Sequence, residues 1–219
     1  MRGLTLHECL NSVPLIAVLR GIEPHEAFVV GEILIKAGIK IIEVTMNSSE
    51  PLKSIRILAD AFGEQSLIGA GTVVTPDVAR DVSQAGGRLI VMPHADISVI
   101  KAGKQENCYV LPGILTPTEA FAALGAGADG LKLFPSESAP PKVLTALRAV
   151  LPNETLLLPV GGITPETMDG YWLAGASGFG LGSNLYKAGK SVGAIKADAK
   201  IFVREITLLN QNLSKGLPE

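Results

Sequence analysis

From residue 14 onward the chain repeats one pattern eight times: a short apolar segment rich in β-formers, a turn, then a helix-like stretch. The strand candidates are 15–19, 39–45, 67–70, 89–91, 109–111, 130–134, 156–160 and 178–181. Helix starts lie between them, as Pro24-His25-Glu26, Thr75-Pro76-Asp77, Thr116-Pro117-Thr118-Glu119 and Thr164-Pro165-Glu166. Each places proline where the first helical turn has no use for an N–H. Lys36-Ala37-Gly38 and Ala174-Gly175 suit helix stops. Eight such units of roughly 20–25 residues predict an α/β fold, a (β/α)8 TIM barrel, over an open doubly wound sheet, which would leave strands over. Residues 4–11 read as an extra N-terminal helix that closes the barrel bottom. Residues 195–212 read as a closing helix, and 213–219 as a frayed tail. No linker or low-complexity stretch interrupts the pattern, so one domain is expected over 1–219.

Composition narrows the partners. Hydrophobic residues make up 47% and aromatics 5%, which is the aliphatic packing of buried parallel strands. A net charge of −2 offers no general attraction to nucleic acid or to an anionic membrane. The longest apolar runs, such as Leu156-Leu157-Leu158-Pro159-Val160, are too short to span a bilayer. The first eight residues lack the basic-then-apolar layout of a secretory signal, so the expected compartment is the cytoplasm. Cys9 and Cys108 stand apart and read as reduced structural thiols.

Against this apolar background two charges stand out. Lys132 is alone in Gly130-Leu131-Lys132-Leu133-Phe134-Pro135, and Glu43 is alone between Ile41-Ile42 and Val44. Desolvation lowers an amine pKa and makes it a nucleophile able to form a Schiff base. It raises a carboxyl pKa towards the range useful for moving protons near neutrality. The bland alternative is that the two charges neutralise each other as structure. Apolar replacements would serve stability as well, however, and that favours chemistry. Period-two alternation puts Ile16, Val18 and Arg20 on one face, Ile41, Glu43 and Thr45 on one face, and Ile68, Ala70 and Thr72 on one face. Gly130, Lys132 and Phe134 share a face in the same way. Arg20 at a strand exit can clamp a carboxylate or be a solvated strand-end arginine. Thr72 can offer a hydroxyl to a substrate or cap the next turn.

The seventh and eighth strand candidates end in Val160-Gly161-Gly162-Ile163-Thr164 and Gly180-Leu181-Gly182-Ser183-Asn184. Barrels commonly bind phosphate with the loops in those positions, where glycine lets backbone N–H groups approach an anion. His7, His25 and His94 are scattered, and no His/Asp/Glu cluster has metal-site spacing. His94, near a strand end, can contact a substrate at the barrel mouth or be a loop histidine without a role, and the second reading is preferred. Neither a P-loop nor a dinucleotide fingerprint follows the first strand. No cofactor and no metal are expected.

Several segments together resemble a known family. They are Val18-Leu19-Arg20-Gly21-Ile22, Ile42-Glu43-Val44-Thr45-Met46-Asn47-Ser48, Ile68-Gly69-Ala70-Gly71-Thr72-Val73, Pro112-Gly113, Leu131-Lys132-Leu133-Phe134-Pro135-Ser136, Val160-Gly161-Gly162-Ile163-Thr164 and Gly180-Leu181-Gly182-Ser183. In this order they are similar to the class I aldolases that act on 2-keto-3-deoxy-6-phospho sugar acids, over roughly residues 12–210. The resemblance implies a trimeric (β/α)8 barrel in which Lys132 forms the Schiff base and Glu43 is the general acid/base. It implies that Arg20 and Thr72 contact the pyruvate-derived end, and that Gly162, Gly182 and Ser183 hold the phosphate beside Val160 and Gly161. The implied reaction cleaves a phosphorylated keto-deoxy sugar acid to pyruvate and glyceraldehyde 3-phosphate. Val160 and Asn47 resemble the galactonate-type branch, where the gluconate-type branch tends to carry threonine and arginine. Thr45-Met46 is nearer the gluconate pattern, and Ala139-Pro140-Pro141 fits neither. Two rival readings remain on the same residues. One is a metal-independent phosphosugar isomerase with Glu43 as base. The other is a non-catalytic phosphosugar-binding barrel.

Overall fold

The computed structural model describes residues 3–215. Its strands are β1 (Leu15–Leu19), β2 (Ile41–Thr45), β3 (Leu67–Gly71), β4 (Leu89–Val91), β5 (Tyr109–Leu111), β6 (Gly113–Ile114), β7 (Leu131–Leu133), β8 (Leu157–Pro159) and β9 (Phe179–Leu181). Its helices are α1 (Leu6–Ser12), α2 (Pro24–Ala37), α3 (Pro51–Phe62), α4 (Pro76–Gln84), α5 (Ile97–Gln105), α6 (Pro117–Gly125), α7 (Pro141–Arg148), α8 (Pro165–Leu173) and α9 (Val192–Lys215). The strands form two sheets, β5-β4-β3-β2-β1-β9 and β6-β7-β8, with every strand pair parallel. The result is an α/β fold whose parallel sheet curls around an interior.

Hydrogen bonds link the two sheets at both edges. On one side Val160 bridges Gly180, and Ser177 N–H donates to Leu157 O at 2.8 Å. On the other side Pro112, which has no N–H to give a ladder, splits β5 from β6. There Asp129 N–H donates to Val110 O at 3.0 Å and Lys132 N–H donates to Pro112 O at 2.9 Å.

The threonine-proline starts act as read. Thr75, Thr116 and Thr164 cap α4, α6 and α8 by accepting from the N–H groups of Val78, Glu119 and Thr167, and each is followed by proline. Gly38 ends α2 in the left-handed region at φ 107°, a conformation that glycine adopts without penalty.

Two apolar layers explain why most strands read as continuous hydrophobic runs. Ile16, Ile41, Leu67, Leu89, Val91, Leu111 and Leu158 fill the interior, with Leu6, Cys9 and Leu10 of α1 packed against them. Leu15, Ala17, Leu19, Ile42, Val44, Ile68 and Ala70 face the surrounding helices. Each fully buried aliphatic side chain contributes roughly 1.5–3 kcal/mol of transfer free energy. A shift of one residue would therefore exchange two favourable faces rather than expose one.

Three expectations need correction. In β3 the interior face is Leu67, Gly69 and Gly71, because Ile68 and Ala70 pack on the helix side. The strand candidates at 39–45, 130–134, 156–160 and 178–181 are trimmed at their ends, and the one at 67–70 gains Gly71. The expected tail at 213–219 is helical through Lys215, and its last four residues lie outside the described part. Cys9 and Cys108 are both free and buried, and burial pushes the Cys108 thiol up to about 11.

Candidate active site

Strand register sets the centre of the site. Val18 pairs with Glu43, which pairs with Gly69, and Gly113 pairs with Lys132, which pairs with Leu158. Glu43 is 1% exposed and Lys132 is 7% exposed. Both line a small void walled by Ile16, Val18, Val91, Leu111, Leu158, Val160 and Gly180. Gly71 makes room for the carboxylate, since a Cβ there would sit 2.7 Å from Glu43 Oε1. The other oxygen, Glu43 Oε2, is buried without a hydrogen-bond partner among the described residues.

Among the described residues no ion pair joins Glu43 to Lys132, so mutual neutralisation by contact does not describe the pair. Burial pushes the Glu43 carboxyl up, and the Lys132 and Arg20 charges offset only part of this. Burial pulls the Lys132 amine down against the opposing pull of Glu43, and Arg20 adds to the depression. Desolvation leads in both, so both groups are driven towards their neutral forms. For the amine that is the nucleophilic form. Lys132 Nζ also lies 4.6 Å from the centre of the Phe134 ring, a position that favours a cation once one forms on this nitrogen.

Above the void opens a cavity of about 360 Å³ that Lys132 shares with Arg20, Val160, Gly161, Gly162, Gly182 and Ser183. The strand-exit arginine, the buried lysine and both glycine loops therefore meet as the sequence places them. Asn184 ties the two glycine loops together, its Nδ2 donating to Ile163 O at 2.7 Å. Gly161 and Gly162 have φ of 109° and 62°, where a side chain would be strained.

Thr72 differs. It follows β3 with φ 60°, unusual for a β-branched residue, and it does not line either the cavity or the void. Three residues of the site escaped sequence reading. Gly71 was signalled by its place after Gly69-Ala70. Lys187 also lines the cavity. Glu137 packs on the glycine turn, its carboxylate taking the space that a Gly161 Cβ would need. An acid so close to the glycine turn has no signal beyond its place just after the Pro135-Ser136 strand exit.

A buried amine beside a buried carboxyl, under a cavity with a cation and two glycine loops, defines a class of enzyme. The family model of the KDPG and KHG aldolases matches residues 6–198, and the chain belongs to that family. Within it, the chain is 44% identical over 194 residues to the 2-dehydro-3-deoxy-6-phosphogalactonate aldolase of Escherichia coli (strain K12), covering 89% of this chain and 95% of that protein. The solved structure of native KDPGal superposes with a TM-score of 0.90 at 41% identity, over 96% of this chain and 100% of that one. A cube-shaped protein cage designed by fusing symmetric oligomeric domains superposes with a TM-score of 0.91 at 42% identity, over 92% of this chain and 75% of that one.

Proposed function

We propose that this protein is a class I aldolase that cleaves 2-dehydro-3-deoxy-6-phospho-D-galactonate to pyruvate and D-glyceraldehyde 3-phosphate. One observation carries the reading: Lys132 is buried with no ion pair among the described residues and opens on a cavity that also holds Arg20 and both glycine loops. The family relatives support the choice of substrate.

In this reading the neutral Lys132 Nζ adds to the C2 carbonyl, and the carbinolamine hydroxyl leaves as water with the proton of the neutral Glu43 carboxyl, giving a protonated imine and a Glu43 carboxylate. That step fixes a positive charge beside Glu43 and so favours its carboxylate. Glu43 then takes the C4 hydroxyl proton, the C3–C4 bond breaks, and its electron pair moves into the imine as an enamine. The aldehyde leaves, Glu43 returns a proton to C3, and water releases pyruvate from Lys132. Arg20, which lines the cavity beside Lys132, holds the C1 carboxylate. Backbone N–H groups of Gly161, Gly162, Gly182 and Ser183 hold the phosphate, and the apolar wall of Val160 faces the sugar. The curled sheets, counting β5 and β6 as one interrupted strand, make the (β/α)8 barrel, in a single domain with α1 as its extra N-terminal helix. We further propose a homotrimer in the cytoplasm. The family resemblance supports the trimer, and the likeness to a cage of symmetric oligomeric domains supports an oligomer. No helix among the described residues is long and apolar enough to cross a membrane.

The test is pyruvate release from the galactonate substrate by the wild type and by Lys132→Ala, with and without EDTA. The reading expects turnover that EDTA leaves unchanged and that Lys132→Ala abolishes. Substantial cleavage by the variant would defeat it.

A further inference from the structure

Arg20 is an exposed residue in the turn after β1, and none of the ion pairs among the described residues includes it. A long side chain in a turn has many rotamers to lose, so holding it over a cavity requires that its backbone be fixed. The backbone on either side of it is held by one hydroxyl. Gly21 N–H donates to Ser48 Oγ at 2.9 Å, and Ser48 Oγ lies 3.5 Å from Leu19 O, as a donor. Thr45 Oγ1 lies 3.1 Å from Ser48 Oγ, and Thr45 itself is buried. With Thr45 donating, Ser48 Oγ accepts twice and gives its one proton, which uses its full capacity.

Thr45 ends the strand that carries Glu43, two residues on and on the same face. The turn that follows is also fixed, by Ser48 N–H to Thr45 O at 2.9 Å and by Met46 N–H to Gly71 O at 2.8 Å. The chain therefore links the general acid/base strand, through two hydroxyls, to the residues flanking the arginine.

We propose that Ser48, supported by Thr45, is a positioning residue that sets Arg20 over the Lys132–Glu43 pair. This goes beyond the aldolase reading in naming what holds the carboxylate clamp, and for its catalytic readout it rests on that reading. Ser48 touches no reacting atom in this account. Its effect passes through the place of the Arg20 charge, which bears on both Glu43 and Lys132.

The experiment has two readouts on Ser48→Ala, Ser48→Thr and Thr45→Val. The first is the titration of the Glu43 carboxyl by NMR with ¹³C-labelled glutamate, assigned through Glu43→Gln. Loss of the hydroxyl lets Arg20 move off, so Glu43 should titrate at higher pH in Ser48→Ala. The shift should be smaller in Thr45→Val, and Ser48→Thr, which keeps the oxygen, should restore the wild-type curve. The second is the pyruvate concentration that half-saturates borohydride trapping. It should rise ~10-fold or more in Ser48→Ala, as misplacement of a clamping group does, and recover in Ser48→Thr. An unmoved Glu43 titration in Ser48→Ala overturns the proposal. Wild-type protein that traps no pyruvate would defeat the aldolase reading instead, and the titration would still decide the role of Ser48. If Ser48→Ala does not fold, Thr45→Val decides by the same two readouts.

Discussion

Replacing both buried charges, in Lys132→Met with Glu43→Leu, should stabilise the fold while removing activity. Both side chains are almost fully buried; among the described residues one carboxylate oxygen has no hydrogen-bond partner and no ion pair offsets the loss of water. The void they share is otherwise lined by Ile16, Val18, Val91, Leu111, Leu158 and Val160, so a thioether and an isobutyl group meet like neighbours. Apolar replacement of a buried charged pair is typically neutral or stabilising by about 1–4 kcal/mol. In a chain of this size each kcal/mol moves Tm by roughly 2–4 °C.

The pH dependence carries a sign. The folded Glu43 carboxyl is raised from 4.5, so its ionisation costs nothing below 4.5 and costs stability as pH rises through the folded value. Lys132 is lowered from 10.5, so its cost is absent above 10.5 and appears as pH falls through the folded value. The gain of the double variant should therefore be largest near neutrality. Glu43→Leu alone should lose its gain towards pH 4.5, and Lys132→Met alone towards pH 10.5. Urea unfolding of the three variants across pH measures this. A double variant clearly less stable than wild type at pH 7 would show instead that the buried charges are a net source of stability.

Gly71→Ala should keep the fold and lower kcat on the order of 100-fold, because its methyl enters the space of Glu43 Oε1; an unchanged kcat would show that the carboxylate moves freely. Val160→Thr should shift preference towards the gluconate epimer, read as the ratio of kcat/KM for the two substrates, and an unaltered ratio would rule out that wall as the selector. Glu137→Gln removes a negative charge from the proposed phosphate seat, so KM for the phosphorylated substrate should fall while that for pyruvate in the reverse direction stays the same. A rise in KM would mean that Glu137 orders the glycine turn.

Much of this site is legible in the sequence because charge is so rare in its strands. Glu43 and Lys132 announce their faces, and Arg20 follows from the alternation of Ile16 and Val18. β3 gives no such signal. Leu67-Ile68-Gly69-Ala70-Gly71 is apolar on both faces, and its interior positions are glycine, where a Cβ would strike Leu89 O or the Glu43 carboxylate. Without a side chain there, period two selects the wrong face and carries Thr72 with it. Ser48 hides for another reason, because a hydroxyl in Asn47-Ser48-Ser49 looks like ordinary turn chemistry until its partners across the fold are seen. The full length of α9 was open to reading, since Gly216 follows Lys215 and glycine commonly ends a helix.

The proposed cleavage depends on an imine at Lys132. Incubation with pyruvate, reduction with borohydride and peptide mass spectrometry test it most directly. One reduced pyruvyl adduct is expected, on Lys132. Folded protein with no adduct, or with the adduct on another lysine, would contradict it.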